Sequence, residues 1–229
     1  MEFLIPSLSS FSSEVDGLIV LITVLVGFWF LAAEGMLFWL MFRFRHKEGV
    51  PAQHITGKEK HLKRWINIPH YLILVCDVFI IVGAIQVWVH IKQTLPPADA
   101  TVRVIGQQWT WIFVHPGPDG KLDTPDDIAM ADELHVEVDK TYHFDLQATD
   151  VVHSFSVPVF RLKQDAIPGR SITGWFKPIE TGVHDVQCAE ICGIGHGVMV
   201  GRIYIESAEQ HASWMRQSTA VAATMGANE

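Results

Sequence analysis

The sequence predicts a two-helix membrane hairpin followed by an all-β domain. Three observations carry that reading: two long apolar runs in the first ninety residues, a stiff break at Leu95-Pro96-Pro97, and short alternating segments from there to residue 206.

The first run, Gly17 to Phe42, holds one charged side chain, Glu34, in 26 positions. That is roughly 39 Å of helix at 1.5 Å per residue, enough to cross a bilayer with some tilt. The second, Pro69 to Ile91, holds one acid, Asp77, and the histidines His70 and His90 near its ends. Both are too long for a signal-peptide core, and the first lacks a basic leader. Residues 1–16 contain no Lys or Arg, whereas the connecting loop carries Arg43, Arg45, Lys47, Lys58, Lys60, Lys63 and Arg64. The positive-inside rule places that loop in the cytoplasm and both flanks on the outer face. In a bacterium this is the inner (cell) membrane, with the second domain in the periplasm or cell exterior. The expected division is an anchor over 1–94 and an outer domain over 95–229, with helices at about 17–42 and 69–91.

In the outer domain the alternating segments are Thr101 to Ile105, Leu134 to Val138, Tyr142 to Leu146, Val151 to Val157, Ser171 to Phe176, Val183 to Gln187 and Val198 to Ile205. Gly, Pro, Asp and Lys separate them, which suits a sandwich or barrel. Residues 208–217 read as a short closing helix and the last dozen as a frayed tail. No internal repeat is visible. The whole chain is 49% apolar with a net charge of −8, which suits a few spans plus one globular domain and argues against nucleic-acid binding. From residue 95 on there are nine Lys plus Arg against eighteen Asp plus Glu, a balance of −9. Asp119, Asp123, Asp126, Asp127, Asp132 and Glu133 crowd one insertion, readable as a solvated hairpin or as a docking face for a basic partner. The insertion lacks the twelfth-position Glu and the ligand rhythm of a calcium loop.

The chemistry concentrates in Cys188-Ala-Glu-Ile-Cys192-Gly-Ile-Gly-His196-Gly-Val-Met199. Two thiols, an imidazole and a thioether fall within twelve residues. Thioether suits copper better than zinc or iron, and thiolates select soft or borderline metals. Two bridging thiolates could join two copper ions, each then needing an imidazole, so a second His must come from elsewhere. Three plain readings compete: a Cys188–Cys192 disulfide, a zinc site with two histidines, and two buried small hydrophobes. The disulfide accounts for neither His196 nor Met199, and zinc leaves Met199 unused. Cys76, mid-membrane, reads as packing. His115, His135, His143 and His184 stand singly in strand patterns and read as ordinary core or surface residues.

With these residues in view, the chain resembles subunit II of cytochrome c oxidase over nearly its whole length. The C-x-E-x-C-x-x-x-H-x-x-M stretch is similar to that family's binuclear copper signature, CuA. Asp150-Val-Val-His153-Ser-Phe, Leu162-Lys-Gln-Asp-Ala-Ile-Pro-Gly-Arg170, Gly106-Gln-Gln-Trp109-Thr-Trp111 and Trp65-Ile-Asn-Ile-Pro69 resemble four further family segments. The resemblance implies a two-helix transmembrane hairpin followed by an all-β cupredoxin-like (Greek-key) barrel. It implies copper ligation by His153, Cys188, Glu190 (backbone carbonyl), Cys192, His196 and Met199, with a magnesium ion at the Glu190 side chain. It implies Trp109 as the exposed residue that accepts electrons, against the plain reading of a core aromatic. It also implies the partners: cytochrome c or an equivalent donor, a heme-bearing catalytic subunit I, and other oxidase subunits. The chain is then a relay within a proton-translocating oxidoreductase, and not catalytic alone.

The chain departs from the family pattern in places. Thr110 stands where the family often has Tyr. Leu62 stands where the family usually has a Glu at the mouth of a proton path. Glu59 lies nearly one turn earlier, and Asp77 and Glu34 are intramembrane candidates because burying a charge in lipid is expensive. The alternative functions are the same copper relay in a heme-copper nitric-oxide reductase, a copper-free quinol-oxidase subunit, and a membrane-tethered copper carrier.

Overall fold

The computed structural model describes residues 5–51 and 55–226. It resolves into two compact units, residues 14–90 and residues 1–13 with 91–229. The first is a pair of helices, α1 (Ser12–Arg43) and α2 (Lys60–Trp88), the second running on through a π-helical turn, Val89–Gln93. Both are long and apolar enough to cross a membrane. Their apolar side chains, Phe30, Trp39, Phe42 and Phe79 among them, are exposed in the isolated chain, which fits surfaces meant for lipid or partner subunits. Helix α2 begins nine residues before Pro69, where the sequence suggested a start. Proline deletes one backbone donor, a loss that neighbouring groups and ordered solvent can offset in a membrane helix. Trp29 Nε1 donates to Cys76 Sγ at 3.5 Å, and His90 Nδ1 meets Glu14 Oε2 at 2.8 Å, where the start of α1 meets the end of α2.

The second unit contains ten strands in two five-stranded sheets. They are β1 (Ala100–Gln107), β2 (Thr110–His115), β3 (Ile128–Ala131), β4 (Glu133–Glu137), β5 (Tyr142–Ala148), β6 (His153–Val157), β7 (Leu162–Ala166), β8 (Ile172–Phe176), β9 (Gly182–Cys188) and β10 (Val200–Glu206). One sheet runs β3-β2-β1-β5-β8, the other β4-β10-β9-β6-β7. The β1–β5 and β4–β10 pairs are parallel, and the remaining pairs antiparallel. Chain neighbours β3 and β4 lie in different sheets, as a Greek-key sandwich requires. Period-2 alternation buries one side of each sheet: Val102 and Val104 on β1, Trp111 and Phe113 on β2, Phe144 and Leu146 on β5. Phe155 sits among them, edge-on to Trp111 at 5.7 Å, Phe144 at 5.7 Å and Phe113 at 6.3 Å.

Two further elements close the sandwich. Helix α3 (Ala208–Gly226) lays Trp214 on His135 at 4.3 Å, and the other side of that imidazole stacks on Tyr204 at 4.5 Å. The helix outruns the expected 208–217, and residues 227–229 of the expected tail lie outside the described residues. The chain before α1 forms a strap. Leu8 N donates to Val159 O at 2.8 Å, Ile179 N to Leu8 O at 3.1 Å, and Ser9 bridges to Pro178. Leu8 and Phe11 join the core, Phe11 edge-on to Trp175 at 5.1 Å.

Candidate metal centre

Strands β6 and β9 pair so that Phe155 faces Cys188, which places His153, at the start of β6, beside the end of β9. From Cys188 the chain loops through a short 3-10 turn, His196–Val198, and returns into β10. Cys188 N donating to Met199 O at 3.2 Å closes this loop at its neck, and Ala189 N donating to Ser154 O at 3.0 Å ties it to β6. A local hairpin closure therefore gathers five donor side chains that the sequence singled out.

Their heteroatoms form a connected string. His153 Nδ1 lies 4.0 Å from Cys188 Sγ, and Cys188 Sγ lies 3.7 Å from Cys192 Sγ. Cys192 Sγ is 3.7 Å from His196 Nδ1 and 3.8 Å from Met199 Sδ. The Glu190 carbonyl oxygen lies 3.3 Å from Cys188 Sγ, and the residue is exposed. Donors of His153, Cys188 and Cys192 all lie within 4.8 Å of one another, a group that could hold a metal ion. Both cysteines are free, and their separation is far beyond the roughly 2.05 Å of a disulfide. Two thiolates at about 2.3 Å from one metal at a tetrahedral angle would sit roughly 3.8 Å apart, close to the distance observed.

The surroundings favour metal binding. His153 is fully buried, and its Nε2 meets Asp150 Oδ1 at 2.8 Å. That bond fixes the tautomer, leaving the Nδ1 lone pair for the string. Burial alone would raise the pKa of Asp150, but hydrogen bonds from His153, Gln108 and Val151 outweigh it and hold the carboxyl below its ordinary value. Burial, then the adjacent Cys188, pushes the Cys192 thiol up to about 11. Without a metal it stays protonated at neutral pH, so metal binding there releases a proton.

Trp109 stands over this loop. Its indole Nε1 donates to Cys192 O at 3.3 Å, beside Gln108 Nε2 donating to the same oxygen at 2.7 Å. Gly193 (φ 123°) is in a conformation that side chains rarely adopt, and a Cβ there would come within 2.9 Å of Gln108 Nε2. A Cβ at Gly195 would overlap the Trp109 ring. Trp109 is 38% exposed, whereas Trp111 two residues on is fully buried and supplies the core aromatic. Asp150 and Gln108, which orient the ligands and the tryptophan, were missed as functional in the sequence. Each stood inside a segment that resembles the family's, Asp150 three residues before His153 and Gln108 beside Trp109.

The acidic insertion lies elsewhere. Residues 116–127 join β2 to β3 at the end of that hairpin away from Trp109, and Asp123 pairs with Arg103 in mid-strand at 2.7 Å. Arg103 is five residues from Gln108 along β1, roughly 17 Å of strand. The loop's carboxylates cap its own backbone: Asp126 accepts from Asp119 N, Asp127 from Asp123 N, and Asp119 from Lys121 N. In the connection between α1 and α2, Glu59 accepts from the Thr56 hydroxyl at 2.8 Å.

Comparison with known proteins agrees with this geometry. The model of the family described as cytochrome c oxidase subunit II, periplasmic domain, matches residues 100–208. The alternative cytochrome c oxidase subunit 2 of Bradyrhizobium diazoefficiens is 33% identical over 227 residues, covering 89% of this chain and 80% of the relative. Cytochrome c oxidase subunit 2 of Cereibacter sphaeroides is 28% identical over 244 residues, covering 93% and 78%. The crystal structure of the periplasmic domain of subunit II of cytochrome oxidase from Bradyrhizobium japonicum superposes with a TM-score of 0.50 at 30% identity, covering 56% of this chain and 98% of that one. The chain belongs to the cytochrome c oxidase subunit II family, and is therefore a subunit of an oxidoreductase complex.

Proposed function

We propose that this chain is the electron-accepting subunit of its oxidase. It takes single electrons from a cytochrome c at a binuclear copper centre and passes them to a heme in the catalytic subunit. The observation that carries this reading is the string His153–Cys188–Cys192 with His196 and Met199 attached through Cys192. Two thiols at the middle and an imidazole toward each end suit two metals sharing both sulfurs. A thioether among the donors favours copper over zinc. Bound there, a copper pair supplies reversible one-electron chemistry.

The chain's own residues do the rest. The β6–β9–β10 scaffold fixes the donors, so gain or loss of charge need not rearrange them. Asp150 holds His153 in the ligating tautomer. Gln108 and Trp109 reach the carbonyl of Cys192, which gives the half-exposed Trp109 a hydrogen-bonded route to the cysteine loop. The Glu190 carboxylate, exposed on the loop, is the group assigned to a magnesium ion at the contact with the catalytic subunit.

The strap bears on topology. Residues 5–13 belong to the same compact unit as residues from 91 on. The chain between them must then cross the membrane an even number of times, which the two apolar helices provide. Of the division read from the sequence, 1–94 and 95–229, the anchor proper is then residues 14–90, and the copper domain, with residues 5–13 strapped to it, faces the periplasm from a bacterial inner membrane. The decisive experiment is metal analysis and electron paramagnetic resonance of the purified full chain. Two coppers sharing one unpaired electron are expected, and a single copper or zinc would overturn the reading.

A further inference from the structure

Asp132 occupies the point where the chain steps from one sheet to the other, between β3 and β4, at φ 60°. It reaches three ways. Its Oδ1 accepts from Trp111 N at 2.8 Å and from the Thr110 hydroxyl at 3.0 Å. Its amide donates to Trp111 O at 2.7 Å, and its carbonyl accepts from Arg202 N at 2.7 Å, three residues past Met199. One residue therefore grips the segment just after Trp109 and the strand just after the Met199 donor. On the other flank, Gln108 N donates to Asp150 Oδ2 at 2.7 Å. Trp109 is thus bracketed by two carboxylates, neither of which touches its ring.

We infer that Asp132, with Thr110, is a positioning residue for Trp109: it clamps the backbone after the tryptophan so that the indole stays within reach of the Cys192 carbonyl. The inference rests on Trp109 being the electron-accepting surface residue. The indole contact has little slack. N–H···O bonds run from about 2.7 to 3.2 Å, and this one is already 3.3 Å. A shift of a few tenths of an ångström at Thr110 would break it. The sequence grouped Asp132 with an acidic insertion, readable as a solvated hairpin or a docking face, but it is half-buried and its carboxylate is turned onto two donors of the adjoining strand. Thr110 is a departure from the family's usual Tyr, and its hydroxyl here is given to Asp132.

Substitution separates backbone, hydrogen bond and charge. Asp132→Gly keeps the left-handed backbone at no steric cost and removes the acceptor. Asp132→Asn tolerates that backbone and keeps an acceptor oxygen without the charge. Thr110→Val is a second, milder lesion that spares Asp132. The metal-free full chain in detergent micelles, grown on 5-fluorotryptophan, is followed by fluorine NMR, with the Trp109 line assigned by its loss in Trp109→Phe. Asp132→Gly should shift and broaden that line, Thr110→Val should do so less, and Asp132→Asn should leave it in place. In the copper-loaded complex, stopped-flow uptake from a reduced soluble cytochrome c should show the same ranking. The saturating rate should fall severalfold in Asp132→Gly, with the half-saturating donor concentration unchanged. An unmoved Trp109 line in Asp132→Gly overturns the inference. So does an Asp132→Asn variant as damaged as the glycine one with a raised half-saturation, since charge would then be what matters. Failure of the underlying role of Trp109 shows separately, as undiminished uptake in Trp109→Phe.

Discussion

Asp150 shows how much of the proposed metal centre rests on a residue that offers it no donor. Its two oxygens serve His153, Val151 and Gln108, so one side chain sets both an imidazole tautomer and the segment that carries Trp109. Asp150→Ala should lower copper affinity by about 10- to 100-fold, the usual cost of losing a ligand's orienting partner, measured by competition with a chelator. Unchanged affinity would mean that the buried imidazole is held by packing alone. The ligands should rank among themselves. Cys192→Ser should abolish the binuclear spectrum in a domain that still folds, because a hydroxyl is too hard and too basic to bridge soft metal. Met199→Leu should keep both coppers and shift the potential. Complete copper loss in the leucine variant would reverse that ranking. The donors in the motif were legible in the sequence because twelve consecutive residues hold them, and His153 because its segment resembles the family's. Partnerships such as Gln108 with Cys192, 84 residues apart, and Thr110 with Asp132, 22 apart, leave no local pattern.

At the scale of elements, the strands that were legible are those with apolar alternation, such as β5 with Tyr142, Phe144 and Leu146 turned inward. Three were not. Strand β3 is four residues inside an acidic stretch. Strand β7 is an edge whose Lys163, Gln164 and Asp165 read as loop, and edges are commonly polar as a guard against unwanted pairing. Strand β2 was hidden inside the Trp109–Trp111 motif. The histidines that read as ordinary residues are not all alike. His115 is fully buried beneath α3, its ring 4.8 Å from Trp214, and its Nε2 accepts weakly from His135 N at 3.5 Å. Burial first, then the neighbouring His135 and His211, bring its pKa down from 6.5 to about 3. The folded value lies below the unfolded one, so between those two pH values the unfolded chain binds the extra proton. Stability from this group is complete above about pH 6.5 and is lost as pH falls toward 3. Thermal melts of the wild-type chain should drop between pH 7.5 and pH 5, and His115→Gln should flatten the slope. An equal slope in the variant would assign the pH dependence to other groups.

For the molecule as a whole, the outer domain's charge and its tryptophan act at different places. The acidic loop lies at the far end of the β2–β3 hairpin from Trp109, so it contributes to a long-range field rather than to contact at the ring. Electron transfer from cytochrome c should slow as salt rises toward physiological strength, where exposed charges are screened beyond about 8 Å. Asp126→Asn with Asp127→Asn should lower the association rate modestly and leave the intracomplex rate alone. A rate indifferent to salt would point to an apolar docking face or an attached donor. The strap is a second whole-molecule feature. Phe11→Ala should cost about 3–5 kcal/mol, as large-to-small changes in a packed aromatic core do, while the copper spectrum at low temperature stays unchanged. A melt within a degree of wild type would show that the strap is ornamental.

That strap also sets a clock on biogenesis. Ser9 Oγ donates to Phe160 O across 151 residues of sequence, so the strap has no partner until the polypeptide has grown past Phe160. Both helices and β1 to β6 must be made before Val159 and Phe160 can receive it, and Pro178 and Ile179 come later still. A ribosome stalled short of residue 180 leaves Leu8 and Phe11 without their core contacts, where chaperones and proteases can read them as unfinished. The strap precedes both helices in the chain and is fixed only by residues that follow them.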